Sequence, residues 1–131
     1  MTTRRASCCC GQLAVTCNGD PGRISMCHCY ACQRRTGSAF GVQARFEAAK
    51  VSVSGRSTTY DRVGDEGHRA RFHFCPDCGS TVYYEFDGAP DAIVVTVGAF
   101  ADNTFPAPVF SVYEARKHPW VVVPEGAEHM D

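Results

Sequence analysis

Apolar positions in this chain alternate with polar ones over short runs, and no stretch shows an apolar stripe at helical spacing. The pattern predicts strands. Gln12–Cys17 alternates and stops at the turn cluster Asn18-Gly19-Asp20-Pro21-Gly22. Ala39–Phe46, Val51–Ser54 and Thr58–Tyr60 follow, the last two separated by a turn at Gly55. Arg69–Phe74 sets Arg69, Arg71 and His73 against Ala70, Phe72 and Phe74, as in a sheet with one buried face. Thr81–Phe86 and Ala92–Val97 are rich in β-branched and aromatic residues, and Val109–Tyr113 and Trp120–Val123 complete the set. Phe72, Phe74, Tyr83 and Phe86 are expected in the core, with Trp120 as a core or edge anchor.

Only Phe46–Val51 and Ala99–Thr104 suggest a helical turn or two. With 12 Gly and 7 Pro as punctuation, the expected class is all-β with short helical turns. No internal repeat or low-complexity segment interrupts the 131 residues. One domain over 1–131 is expected, with its core at about 7–123, long enough to bury a core unaided.

Composition narrows the partners. Thirteen basic residues face 14 acidic ones, for a formal charge of −1, and no basic run exceeds two residues. Nucleic acid and anionic membrane surfaces are therefore not expected as partners. No apolar run approaches the roughly 18 residues of a membrane span, and no signal-peptide core follows Arg4-Arg5. A cytoplasmic location is expected. In a reducing cytosol, clustered cysteines bind metal or do redox chemistry instead of forming a disulfide framework.

Seven of the nine cysteines cluster, as Cys8-x-Cys10, Cys27-His28-Cys29-x-x-Cys32 and Cys75-Pro76-Asp77-Cys78. Neighbouring thiolates suit a single metal ion with Zn–S bonds of about 2.3 Å. Cys75–Cys78 lies between two expected strands, the setting of half a structural site. Cys8 and Cys10 are the simplest second half, provided the backbone there is extended so that both side chains point one way. A zinc ribbon pairing Cys29 and Cys32 with Cys75 and Cys78 leaves more cysteines unexplained. Cys27, Cys29 and Cys32 form a trio without a local fourth donor, the layout of a catalytic zinc with an open position. His28 lies between two ligands and is expected to point away; the alternative is that His28 or another residue closes the site. Cys9 should face away from the ligands, and Cys17 should act as a small buried hydrophobe.

The elements Cys8-Cys9-Cys10-Gly11, Cys27 through Phe40 and Phe74-Cys75-Pro76-Asp77-Cys78-Gly79-Ser80 resemble the glutathione-dependent formaldehyde-activating enzyme family, which includes the centromere protein V-like proteins. Val97-Gly98-Ala99-Phe100 and His118-Pro119-Trp120 also look like family positions. The resemblance runs from about Ser7 to about Trp120. It implies a β-tent (Mss4-like) zinc-bound fold with two zinc ions. One would be structural, on Cys8, Cys10, Cys75 and Cys78, and one catalytic, on Cys27, Cys29 and Cys32. It further implies a carbon–sulfur lyase activity that joins glutathione and formaldehyde to give S-(hydroxymethyl)glutathione.

A small thiol and a small carbonyl are thus the expected substrates. Arg34, Arg35, Thr36 and Ser38 are candidates to accept a developing alkoxide, followed by the Arg69, Arg71 and His73 strand face. His68, His73 and His118 have no carboxylate at a diagnostic spacing to orient them. The main alternative is a non-catalytic zinc module for protein interaction or metal handling. A methionine-sulfoxide reductase, which needs a redox cysteine beyond the second CxxC, does not fit, because no cysteine follows Cys78.

Overall fold

The structure, a computed structural model, describes residues 2–131; Met1 lies outside them. In chain order the first strands are β1 (Thr3–Ser7), β2 (Ala14–Asn18) and β3 (Arg23–Cys27), followed by the helix α1 (Tyr30–Thr36). Next come β4 (Gly41–Glu47), β5 (Val51–Ser54), β6 (Thr58–Val63), β7 (Arg69–Phe74) and β8 (Thr81–Phe86). β9 (Ala92–Thr96), β10 (Phe110–Val112) and β11 (Glu128–His129) complete the strands. Single 3-10 turns lie at Ala48–Lys50, Val97–Phe100 and Glu114–Arg116. The fold is all-β.

Among the described residues the strands form two sheets, one ordered β1-β2-β5 and the other β11-β10-β3-β4-β9-β8-β7-β6. The period-two alternation gives the larger sheet two different faces. Ile24, Ala44, Phe46, Tyr83 and Val95 project from one face and pack on Ala6, Leu13, Val15 and Cys17 of the smaller sheet and its loop. Each large apolar side chain buried there contributes about 1.5–3 kcal/mol. The opposite face carries Cys27, Gln43, Arg45, Tyr84, Val94 and Arg62, and these line a cavity of about 670 Å³.

β5, β7 and β8 have the bounds the pattern predicts, and the alternation in β7 buries Ala70 and Phe72 while exposing Arg69 and Arg71. Three corrections follow. Trp120–Val123 is not a strand: Pro119 and Pro124 bracket it, Trp120 is 70% exposed, and Val122 is 87% exposed. β-Branched residues make a strand only where a partner offers its edge. Trp120 is consequently no core anchor; its indole lies tilted over the His118 ring, 5.2 Å between centroids. Secondly, β1 and β3 were not predicted. β1 is polar except for the buried Ala6, and it is β2 that holds it, through the register Thr3↔Asn18 to Ser7↔Ala14.

Thirdly, α1 was not predicted. Its N-cap is Cys29, whose thiol accepts the Cys32 N–H at 3.3 Å. The stop is Gly37, which adopts a left-handed φ of 68° and donates its N–H to Gln33 O at 2.8 Å. Arg34 and Arg35 in the last turn favour the helix dipole. Two turns are too short to show a periodic stripe, and a thiol is not among the usual cap signals.

Gly55 marks a close approach between the end of β5 and the segment that enters β2. A Cβ there would sit 1.9 Å from Gln12 O, and φ is +93°. Gly67 has a similar φ of +86° with open space around it. Gly55→Ala is expected to lower the melting temperature by roughly 5–10 °C or more, since left-handed strain of about 1–3 kcal/mol adds to the clash. Gly67→Ala should cost only the strain, and equal melting of the two variants would refute the close approach.

Candidate metal centres

The first centre joins two turns. Gly11 N–H donates to Cys8 O at 3.1 Å, and Gly79 N–H donates to Cys75 O at 2.8 Å. Each turn is followed by a left-handed glycine, Gly11 at φ 84° and Gly79 at φ 80°, so backbone amides can face sulfur. Leu13 N–H thus reaches Cys8 Sγ at 3.3 Å, and Asp77 N–H reaches Cys75 Sγ at 3.4 Å. The expectation of extended backbone at Cys8–Cys10 is corrected here. A turn brings those two thiols together, not a strand.

The Sγ atoms of Cys8, Cys10, Cys75 and Cys78 all lie within 4.8 Å of one another. Cys8–Cys10 and Cys10–Cys75 are each 3.6 Å apart. A tetrahedral zinc site with bonds of about 2.3 Å holds its sulfurs about 3.8 Å apart, whereas a disulfide needs about 2.05 Å. The donor set therefore fits a metal ion. Gln12 was not foreseen: its Nε2 donates to Cys75 Sγ at 2.9 Å and to Arg56 O at 2.8 Å, while its Oε1 accepts Arg56 N–H at 2.9 Å. The Ser80 hydroxyl, with backbone N–H groups of Ser80 and Cys10, holds the Cys78 thiol down to about 5. Cys9 is exposed and outside the cluster, and Cys17 is fully buried, with its thiol pushed up to about 11 by burial.

The second centre is Cys27 at the end of β3, Cys29 at the cap of α1 and Cys32 one turn later. Their Sγ atoms also lie within 4.8 Å of one another, and all three residues are buried. Among the described residues no fourth Cys, His, Asp or Glu joins them. His28 is fully buried but shares its Nε2 hydrogen bond with Ser111 Oγ at 2.9 Å, away from the trio. Cys29 is held far below the usual thiol range, first by the Cys27 and Cys32 thiols donating to it. The Cys32 N–H and the Arg62 guanidinium add to this against the opposing effect of burial. The trio thus sets three sulfur donors on the wall of a cavity that is large enough for a small substrate.

The remaining candidates separate. Arg34 lines the cavity. Arg35 instead lies over Phe72, with Cζ 5.3 Å from the ring centroid. Thr36 caps the helix end through Cys32 O at 2.9 Å, and Ser38 N–H donates to Thr36 Oγ1 at 3.1 Å, so that segment is a turn. Arg71 pairs with Asp61 at 2.8 Å on the outer surface. His118 donates to Gln33 Oε1 at 2.9 Å. His68 lines the cavity beside Asp87, 3.1 Å away.

Carboxylates do orient His68 and His73, contrary to expectation. Glu85 holds His73 Nε2, while Ser57 Oγ meets Nδ1 at 2.8 Å. Cross-strand register makes the Glu85 contact, which linear spacing cannot reveal. His73 does not line the trio's cavity. Tyr113, Tyr30, Arg62 and Arg116 at the cavity were also missed. Tyr113 packs against the trio and holds a left-handed φ of 57° just past the end of β10, a position that the expected strand Val109–Tyr113 includes.

Residues 3–116 match the model of the family described as glutathione-dependent formaldehyde-activating enzyme. The chain belongs to that family. A crystal structure of a Rhodobacter sphaeroides protein is similar over 97% of this chain and 99% of its own, at 19% identity and a TM-score of 0.59, which supports the fold. No curated protein matches the chain. Membership associates the protein with glutathione-dependent formaldehyde activation, and its two cysteine sets can hold metal ions. No helix among the described residues is long and apolar enough to cross a membrane.

Proposed function

We propose that this protein is a carbon–sulfur lyase acting on a glutathione-like thiol and a small carbonyl such as formaldehyde, through an open three-cysteine zinc site in a cytoplasmic domain spanning 1–131. One observation carries the proposal. Cys27, Cys29 and Cys32 converge at a cavity wall while His28, the nearest spare donor, is turned to Ser111. Zinc held by these three would supply the positive charge that lowers the pKa of an incoming thiol. A second zinc on Cys8, Cys10, Cys75 and Cys78 would be structural.

The chain's own groups then act on the substrates. The trio is itself buried and lines the cavity, so a substrate sulfur would meet it there. In the forward direction the thiolate sulfur attacks the carbonyl carbon, a C–S bond forms, and the carbonyl π pair moves to oxygen, which takes a proton. The reverse breaks that bond and returns thiol and aldehyde. Tyr113, packed against the trio at the cavity, is the candidate to donate a hydrogen bond to that oxygen. Arg116 stands over both Tyr113 and Tyr30, 5.5 Å from each centroid, and pairs with Asp65 at 2.9 Å, which holds this wall in place.

Thiols add to formaldehyde without help, so the test is the rate above the uncatalysed one. Exchange spectroscopy of glutathione with formaldehyde should show acceleration by the zinc-loaded protein. Tyr113→Phe is expected to reduce kcat by about 10²-fold with zinc content unchanged, the order seen when an oxyanion donor is removed. Full zinc content with no acceleration would instead favour the non-catalytic zinc module.

A further inference from the structure

β3 and β4 pair in a register that places Arg23 directly opposite Arg45, Ser25 opposite Gln43 and Cys27 opposite Gly41. Like charges directly opposite on a sheet destabilise it. Both arginines line the cavity, and neither forms an ion pair with a carboxylate among the described residues. Arg23 Nε is buried without a hydrogen-bond partner, its Cζ lies 4.2 Å from the Phe110 centroid, and Arg45 Cζ lies 5.7 Å from that of Phe86. Burial and the charge of Arg45 both work against protonation of Arg23, and Glu128 offsets this only in part. Between this pair and the trio sits Gln43, 8% exposed, with Oε1 unpartnered.

Partly buried charges are ordinarily paired. Two arginines at opposed register positions on one cavity wall, neither with a carboxylate partner, are an arrangement that an external anion would complete, and their planar forks suit a carboxylate. Arg23 and Cys27 lie four steps apart along β3, about 13 Å at ~3.3 Å per step. An extended tripeptide spans about 10 Å, the same order as that separation.

We propose that Arg23 and Arg45 form an anion subsite that binds a carboxylate of the thiol substrate and makes the site selective for carboxylated thiols. The thiol rests on the function proposed above; the anion subsite rests on the arginine pair.

The test uses the zinc-loaded chain and S-methylglutathione, whose capped sulfur cannot act as a thiolate. Calorimetry should show binding by the wild type, competed by inorganic phosphate, and none of the dimethyl ester. Arg45→Gln and Arg23→Gln should each weaken binding at least tenfold, with Arg45→Lys retaining part of it. If a Gln variant does not fold, the ester comparison and Arg45→Lys decide the matter. The ratio of kcat/KM for glutathione over that for 2-mercaptoethanol should fall about tenfold in Arg45→Gln. Failure of the wild type to bind S-methylglutathione, equal binding of the ester, or equal binding by a folded Gln variant each overturns the subsite. Normal binding losses without turnover of any thiol would overturn the enzymatic proposal and leave the subsite standing.

Discussion

Cys75→Ser is expected to abolish metal binding at the four-cysteine centre and, with it, the cooperative thermal transition. A zinc ion on four thiolates contributes ~10–16 kcal/mol of folding free energy, against a total stability of about 5–15 kcal/mol for an ordinary domain. The centre joins the turn between β1 and β2 to the turn between β7 and β8, and so ties the small sheet to the large one. Cys75 is fully buried and accepts hydrogen bonds from Gln12 and Asp77. A serine hydroxyl would be a poor zinc ligand at neutral pH and would leave three thiols unsatisfied. Metal analysis and circular-dichroism melting check this. A soluble variant that melts like the parent and keeps its full metal content would refute the structural assignment.

Cys29→Ser is expected to have the opposite profile: one zinc fewer per chain, loss of catalysed exchange, and a nearly unchanged fold. The trio lies at the end of β3 and on α1, in a cluster separate from the main core. Serine is itself a favoured N-cap, so it can replace the Cys29 thiol in holding the Cys32 N–H. The substitution therefore removes a thiolate while keeping the cap of α1. Unchanged zinc content would show that the trio is not a metal site, and the open-site proposal would go with it. A collapse of the melting transition would show that this centre holds the fold together.

The cysteine clusters were the most legible part of the chain, because ligands within a few residues of one another are constrained by local backbone alone. The pairing of Cys8 and Cys10 with Cys75 and Cys78 followed from counting, and the structure brings those four together. The means was different, since a turn with Gly11 beyond it takes the place of an extended segment. The strands with clear alternation, β7 and β8, were placed to the residue, while the polar β1 was invisible because its stability comes from its partner.

What surrounds the trio was not legible. Tyr113, Arg62 and the β4 pair Gln43 and Arg45 come from three separate segments, and strand order alone brings them to one cavity. Glu85 beside His73 and Arg45 opposite Arg23 are likewise products of register.

The amino-acid sequence by itself determined the donor chemistry, the all-β class and the division of the cysteines into a set of four and a set of three. Each is written in short-range spacing or in period-two alternation, which the local backbone enforces. Only the tertiary structure decided that the trio opens on a cavity, that His28 turns aside to Ser111, and that two arginines face one another across β3 and β4. Those depend on strand pairing between distant segments, where a shift of one residue would send every side chain to the other face.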